Sequence, residues 1–74
     1  METKVLQEMG LTENEARVYL FLLEHGQSNV SALVRTLPIH RVNLYDLLKR
    51  LIEKGLVSFV FEGRSKKYAA TAPR

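Results

Sequence analysis

Apolar residues recur at helical spacing along most of this chain and then alternate with polar residues near its end. The helical spacing predicts four helices, at about Glu2–Met9, Glu13–His25, Val30–Thr36 and Arg41–Lys54. The alternation predicts two strands, at about Val57–Phe61 and Lys66–Ala70, joined by a turn around Gly63. This order predicts a mostly α, α+β fold: a winged helix-turn-helix of three to four helices and a two-stranded β-hairpin, filling residues 1–74 as a single domain.

The second predicted helix carries complete start and stop signals. Thr12 and Glu15 have the spacing of a capping box, and Gly26 is a natural C-terminal stop. Helical spacing assigns its core face to Ala16, Tyr19, Leu20 and Leu23. The middle turns have little polar surface elsewhere, because they also contain Val18, Phe21 and Leu22. We therefore expect the first helix, or a second subunit, to cover that side.

Only a tight turn separates the third and fourth predicted helices. Asn29, or alternatively Ser28, caps the third helix. Pro38 prevents simple continuation, because it lacks an N–H and disfavours helical geometry in the preceding residue. Two helices joined this closely form a helix-turn-helix unit. The fourth helix ends at Gly55, and its predicted core stripe consists of Leu44, Leu47, Leu48 and Leu51.

Charge is distributed unevenly along the chain. Residues 1–25 have a net charge of −3, whereas residues 26–74 have a net charge of +6. Such asymmetry indicates an anionic partner on one side of the molecule. An unevenly charged, solvated surface is the alternative interpretation.

The side of the fourth helix away from its leucine stripe collects hydrogen-bonding groups. Recognition helices contact base edges with their N-terminal residues. Arginine suits guanine, asparagine suits adenine, an apolar side chain suits the thymine methyl, and a tyrosine hydroxyl can donate to phosphate. The candidate DNA-binding residues of this helix are His40, Arg41, Val42, Asn43, Tyr45, Asp46, Lys49 and Arg50.

Several of these residues also have an ordinary structural interpretation. Lys49 and Arg50 are either phosphate contacts or solvated surface charges, and Tyr45 can lie at the edge of the core. Asp46 either accepts from a cytosine amino group or orients Arg50 at i+4. His40 either caps the helix near phosphate or lies in a turn.

Further candidate DNA contacts lie in the hairpin and the third helix. The hairpin concentrates positive charge near its tip, in Arg64, Lys66 and Lys67. We expect this wing to grip the DNA backbone, and a solvated hairpin tip is the alternative. The third helix offers backbone contacts in Asn29, Ser31 and Arg35.

Composition argues against several other classes of protein. There are 0 cysteines, so no disulfide or thiolate metal site is possible, and neither histidine has a second ligand at metal-binding spacing. No catalytic set or glycine-rich phosphate loop is recognisable, so neither an enzyme nor a cofactor is predicted. The chain has no apolar run of about 18 residues and no signal-peptide pattern. We therefore expect a cytoplasmic protein with no membrane partner.

Two segments carry a more specific pattern: GLTENEARVYL at residues 10–20, and YDLLKRLIEKGLV at residues 45–57 with GRSKKY trailing at 63–68. Together they resemble the N-terminal winged-helix domain of the TrmB family of archaeal and bacterial transcriptional regulators, over about residues 5–73. The resemblance implies a cytoplasmic transcription factor that binds promoter DNA as a homodimer. The positions that match the family's DNA contacts are Arg41, Asn43, Tyr45, Asp46, Arg64 and Lys66.

The chain departs from the family pattern around the turn before the fourth helix. Family members usually carry Gly near position 38 and Pro near position 40, where this chain has Pro38 and His40. A small polar residue is usual where this chain has Val42. Members also commonly continue into a C-terminal sugar-sensing domain. We expect an N-terminal domain whose C-terminal effector-binding domain is missing; a stand-alone regulator is the alternative.

These observations predict sequence-specific binding of double-stranded DNA in transcriptional regulation. The fourth helix would enter the major groove, the basic wing would contact the backbone, and two copies would read successive major grooves as a homodimer. The alternative function is a winged-helix protein–protein interaction module in a larger assembly, which the apolar second helix favours. Such a module does not need both a basic helix and a basic wing.

Overall fold

The computed structural model describes residues 3–8 and 10–71, with side chains from residue 6 onward. Its elements in chain order are α1 (Thr3–Glu8), α2 (Glu13–His25), α3 (Val30–Thr36), α4 (Arg41–Glu53), β1 (Val57–Glu62) and β2 (Ser65–Ala70). Four helices followed by a two-stranded antiparallel sheet confirm the predicted α+β winged helix-turn-helix. The predictions for Glu2, Met9 and residues 72–74 lie outside the described residues. Within the described ranges, no helix is long and apolar enough to cross a membrane.

The boundaries of α2 follow from its capping residues. The Glu15 N–H donates to Thr12 Oγ1 at 3.1 Å, and the Thr12 N–H donates to Glu15 Oε1 at 2.8 Å. This reciprocal pair is the predicted capping box, and it satisfies two N–H groups that the helix itself cannot pair. At the other end, Gly26 has φ +74° and donates its N–H to the Leu22 carbonyl. Both predicted ends of α2 are confirmed.

The core face of α2 differs from the predicted face. Ala16 and Tyr19 are buried as expected, but Leu23 is 39% exposed and Leu20 is half-buried. The buried stripe consists of Glu15, Ala16, Val18, Tyr19 and Leu22. The prediction for Leu23 was wrong because the core face was placed from apolar residues alone. The charged residue Glu15 is also buried, so the true buried face is rotated away from Leu23.

The helix-turn-helix forms around a proline-containing turn. The side chain of Asn29 accepts a hydrogen bond from the Ala32 N–H at 2.9 Å, so Asn29 rather than Ser28 caps α3. Leu37 ends that helix in an extended conformation, as a residue before proline favours. Beyond Pro38, the side chain of Ile39 is buried and fixes the turn to the core.

The end of α4 sets the direction of the chain into the wing. Gly55 has φ +77°, a conformation that other residues rarely adopt. Its N–H donates to the Ile52 carbonyl, and the Leu56 N–H donates to the Leu51 carbonyl at 2.9 Å. These two bonds form a Schellman motif, which closes the helix and starts β1. Lys54 is the C-cap, so the helix proper ends one residue earlier than predicted.

The wing is a β-hairpin with a two-residue turn. Its register pairs Val57 with Ala70 at the base and Glu62 with Ser65 at the tip. Each strand is therefore one residue longer at the turn than predicted. Gly63 has φ +64°. A positive φ at the first turn residue only is the type II′ geometry, which matches the twist of the flanking strands.

A backbone bridge joins the wing to the helices, and no local motif indicates it. The Ser28 N–H donates to the Tyr68 carbonyl at 2.9 Å, and the Tyr68 N–H donates to the Ser28 carbonyl at 2.8 Å. Ser28 thus adds one paired residue to the outer edge of β2. Because Ser28 directly precedes the Asn29 cap, this bridge fixes the wing relative to the start of α3.

An ion pair between a buried carboxylate and a partly exposed lysine connects α2 to the end of α4. Lys54 Nζ lies 3.1 Å from Glu15 Oε2 and 3.2 Å from Glu15 Oε1. The Glu15 side chain is 2% exposed, whereas that of Lys54 is 41% exposed. Burial raises the pKa of the Glu15 carboxyl, but the hydrogen bonds from the Thr12 N–H and from Lys54 outweigh burial and leave that pKa below its ordinary value.

Replacing Glu15 with glutamine is expected to lower the free energy of unfolding by about 1–2 kcal/mol at neutral pH. Glutamine keeps the capping hydrogen bond but loses the charge-assisted bonds to Lys54. Because the folded-state pKa of Glu15 is lowered, its carboxylate stabilises the fold fully above the ordinary pKa of 4.5. That stabilisation is lost as pH falls through the folded-state pKa. Urea unfolding of both proteins from neutral to acidic pH should therefore show the difference closing in acid.

Glu13→Gln is the matched control for this measurement. Glu13 lies in the same helical turn and forms an exposed ion pair with Arg17 at 2.9 Å. Surface pairs of this kind contribute about 0–1 kcal/mol. Equal losses in the two variants, or a difference that persists in acid, would contradict the role assigned to Glu15.

Candidate nucleic-acid interface

A groove of about 310 Å³ lies where the start of α3, the first turns of α4 and the wing meet. We call it the basic groove. It is lined by Asn29, Val30, Ser31, Arg41, Tyr45, Arg64, Ser65, Lys66 and Tyr68. Six of these nine residues are predicted DNA contacts, and they come from three separate segments of the chain. The lining includes three cationic side chains and no carboxylate, so the groove is suited to an anion.

Local structure orients the polar side chains at the α3 end of the basic groove. The Asn29 side-chain oxygen already accepts the N–H of Ala32, which leaves its amide N–H groups to donate. Ser31 lies in the first turn of α3 and is exposed. Amide and hydroxyl donors of this kind commonly contact phosphate oxygens.

Lys66 is held in place by aromatic rings of the wing. Its ammonium lies 4.0 Å from the ring centroid of Phe59, 5.3 Å from that of Tyr68 and 6.0 Å from that of Phe61. Cation–π attraction restrains the long side chain on this face of the hairpin. Less conformational freedom would therefore be lost if Lys66 contacted an anion in the basic groove.

The outer face of α4 presents the predicted recognition residues to solvent. All eight are exposed: His40, Arg41, Val42, Asn43, Tyr45, Asp46, Lys49 and Arg50. The opposite face buries Leu44, Leu47, Leu48 and Leu51, as predicted. Burial of the leucine stripe thus leaves the hydrogen-bonding side of α4 exposed to solvent.

A second groove, of about 350 Å³, runs between α2 and α4 on the other side of α4. It is lined by Thr12, Asn14, Asn43, Asp46, Leu47 and Arg50. Asp46 Oδ2 lies 2.9 Å from Arg50 Nη2, so Asp46 orients Arg50, one of the two roles considered for it. Asn14 was missed by sequence reasoning, because only the packing of α2 on α4 brings it beside Asn43.

Several predicted residues lie away from the basic groove. Arg35 is in the last turn of α3 and does not line it. Lys67 pairs with Val60 in the hairpin and so points to the opposite face from Lys66. His40 occupies the N-cap position of α4 but makes no capping hydrogen bond with its side chain.

A third groove, of about 410 Å³ and less polar, continues from the basic groove between α4 and the wing. We call it the apolar groove. It is lined by Tyr45, Lys49, Ile52, Glu53, Phe59, Lys66 and Tyr68. The two grooves share Tyr45, Lys66 and Tyr68, so they form one continuous surface. Sequence reasoning missed Phe59 as part of this surface, although alternation in β1 places it opposite Tyr68.

Comparison with known proteins identifies the family. The family described as "Sugar-specific transcriptional regulator TrmB" matches residues 6–74. The chain belongs to the TrmB family. It is also 37% identical over 68 residues to the "HTH-type sugar sensing transcriptional regulator TrmBL1" of Pyrococcus furiosus. That match covers 92% of this chain and 20% of the relative, so the chain spans about a fifth of that relative's length.

Family membership confirms the resemblance found in the sequence, and TrmB proteins are transcriptional regulators. The departures of this TrmB chain from the family pattern leave its architecture intact. Pro38 lies exposed in the turn between a half-buried Leu37 and a buried Ile39. Val42 is 80% exposed and His40 is also at the surface. The substitutions therefore change the groups displayed at the surface rather than the packing beneath them.

Proposed function

We propose that this chain binds double-stranded DNA sequence-specifically, as the DNA-binding part of a cytoplasmic transcriptional regulator. The observation that carries the proposal is the basic groove, where side chains from α3, α4 and the wing converge without an acidic lining residue. Helix-turn-helix proteins likewise contact a duplex with more than one element, one helix in the major groove and another across the backbone. Membership of the TrmB family supports the same function.

In this proposal α4 enters the major groove with its N-terminal turns. Arg41 would donate to guanine O6 and N7, and Asn43 would pair with adenine N6 and N7. Val42 would contact a thymine methyl group. Asp46 holds Arg50 at 2.9 Å, which keeps the arginine directed along the helix toward a phosphate.

The wing and α3 would hold the neighbouring phosphates. Arg64 and Lys66 approach the basic groove from the hairpin, and Asn29 and Ser31 approach it from α3. These contacts would fix the register of α4 on the duplex without reading sequence. Arg35 and Lys67 would contribute only long-range attraction, because neither lines the groove.

Fluorescence anisotropy of a labelled random duplex of about 30 base pairs, titrated across a salt series, tests this proposal. Log K should fall linearly with log salt, by about 0.9 for each phosphate contacted. Absence of binding even at low salt would overturn the proposal. A sequence selection from random duplexes would then supply the operator for the variants below.

Asn43→Ala is expected to weaken binding to the selected operator by about 1–3 kcal/mol and binding to random DNA much less. An asparagine that reads adenine contributes only where its partner is present. Both duplexes are titrated by anisotropy, with Asn14→Ala as the control, because Asn14 lines the same groove from α2. Equal losses on operator and random DNA would make Asn43 a backbone contact instead.

We also propose that the chain acts as a homodimer within a longer, effector-binding regulator. The name of the Pyrococcus furiosus relative, a sugar-sensing regulator about five times longer, supports the second part. The homodimer is supported by the resemblance to TrmB regulators and not by the apolar middle of α2, since Val18 and Leu22 are buried within the chain. Sedimentation equilibrium at tens of micromolar, with and without operator, measures the oligomeric state. The same burial removes the feature that favoured a protein-docking module.

A further inference from the structure

The wing exposes three consecutive apolar residues on β1. Phe59 is 41% exposed, Val60 is 47% exposed and Phe61 is 69% exposed. Single exposed apolar residues are ordinary, but a run of three on a short hairpin is unfavourable unless something covers it. We therefore expect another molecule to cover part of this exposed apolar surface of β1.

The alternation of the strand separates these residues into two faces. Phe59 and Phe61 share the face of Lys66 and Tyr68, with Phe61 paired to Lys66. The Phe61 ring packs edge-on against Phe59, 5.9 Å between centroids. Phe59, Lys66 and Tyr68 line the apolar groove, so Phe61 extends that surface toward the wing tip. Val60 points to the opposite face.

The charged residues next to Phe61 on its own face and at the turn are cationic, whereas Glu62 lies on the other face of β1, opposite Ser65. Lys66 lies across the hairpin from Phe61, and Arg64 is in the turn just beyond. A second copy of the chain would bring the same cations together, so self-association at this face is disfavoured. The minor groove of a duplex presents apolar sugar edges and base steps between two rows of phosphates. Phe61 matches the apolar part, and Arg64 and Lys66 match the phosphates.

We infer that Phe61 is an apolar DNA contact that rests against the sugar and base edges of the minor groove. It lies beside the phosphate contacts made by Arg64 and Lys66. The inference rests on the proposed function and adds a minor-groove contact to it. The wing then does more than attract the backbone, because its aromatic tip also removes apolar surface from water.

Phe61→Thr tests this contact, with Val60→Thr as the matched control on the other face of the same strand. Threonine favours strands, so the hairpin is retained, and circular dichroism checks the fold. Anisotropy titrations on the 30-base-pair duplex should show that Phe61→Thr binds about tenfold more weakly than the wild type. A tenfold loss is expected when the burial of much of one phenylalanine side chain is removed from the complex. The salt dependence should not change, because no ion pair is lost. Val60→Thr should bind DNA as tightly as the wild type. Phe61→Trp should also keep the wild-type affinity, because it retains an aromatic side chain.

Netropsin, a small molecule that fills the minor groove of A·T-rich DNA, provides a second readout. Saturating an A·T-rich duplex with it should weaken wild-type binding and leave Phe61→Thr almost unaffected. Equal affinities for Phe61→Thr and Val60→Thr would overturn the inference while leaving the proposed function in place. Conversion of a dimer to a monomer by both variants in sedimentation would also overturn it, in favour of a second copy at β1. Failure of the wild type to bind any duplex would overturn the proposed function together with the inference.

Discussion

Replacing Arg64 and Lys66 together with glutamine is expected to weaken binding to every duplex about a hundredfold or more at low salt. Both side chains line the basic groove from the wing, Arg64 from the turn and Lys66 from β2, and both are proposed phosphate contacts. A hydrogen bond to a charged group contributes about 1.5–3 kcal/mol, so two such losses sum to about 3–6 kcal/mol, which corresponds to a hundredfold or more in affinity.

The salt dependence separates this effect from a general loss of charge. Each phosphate contact removed should reduce the slope of log K against log salt by about 0.9, so the double variant should lose nearly two units. Glutamine retains a hydrogen-bond donor and similar length, so the change is mainly one of charge. Anisotropy titrations across the salt series give both the affinity and the slope.

Arg35→Gln with Lys67→Gln is the matched control, because it removes the same two charges from residues outside the basic groove. Those residues were predicted from sequence to contact DNA, but the structure places one at the end of α3 and the other on the far face of the hairpin. The control should lose affinity several-fold less. A loss as large as that of the first variant would mean that diffuse charge, and not the groove, holds DNA.

Much of the fold is predictable because its signals are local in sequence. The capping box of Thr12 with Glu15 and the cap at Asn29 use partners only three residues away. Gly55 ends α4 through bonds that reach back no further than Leu51. A reader of the sequence can recognise such motifs without knowing how the helices pack. The order and type of all six elements followed from them and from the spacing of apolar residues.

The errors arose where tertiary contacts override local patterns. Glu15 is buried because Lys54, 39 positions along the chain, neutralises it, and no local rule gives that pairing. The same holds for Ser28, whose bridge to Tyr68 joins segments 40 positions apart. For Lys66 and Lys67 the cause differs: strand alternation separates them, and grouping charges by proximity in sequence overlooks that alternation.

The candidate site depends on the core in a way that can be measured. Four segments must be held together to form the basic groove and its neighbours, and α4 is the element that packs on α2, α3 and β1. Its side chain Leu48 is 1% exposed, at the centre of the leucine stripe. The proposed recognition surface is therefore the outer side of a helix whose inner side makes much of the core.

Leu48→Ala is expected to lower the free energy of unfolding by about 2–5 kcal/mol, because it removes buried methyl groups and leaves a cavity. A chain of 74 residues has a total stability of roughly 4–11 kcal/mol at 0.05–0.15 kcal/mol per residue. The variant should therefore lose a large share of that stability, and its midpoint of thermal unfolding should fall by about 10–20 °C or more. Urea and thermal unfolding followed by circular dichroism measure both quantities.

Val42→Ala is the control on the outer side of the same helix. Its side chain is 80% exposed, so its removal should change stability by no more than about 0.5 kcal/mol. The two variants should also differ in DNA binding. Leu48→Ala should bind operator normally at low temperature and lose affinity as the folded fraction falls, whereas Val42→Ala should alter sequence preference at every temperature. If Leu48→Ala weakened binding while still fully folded, the buried face of α4 would be shaping the recognition surface directly, and not only keeping the domain folded.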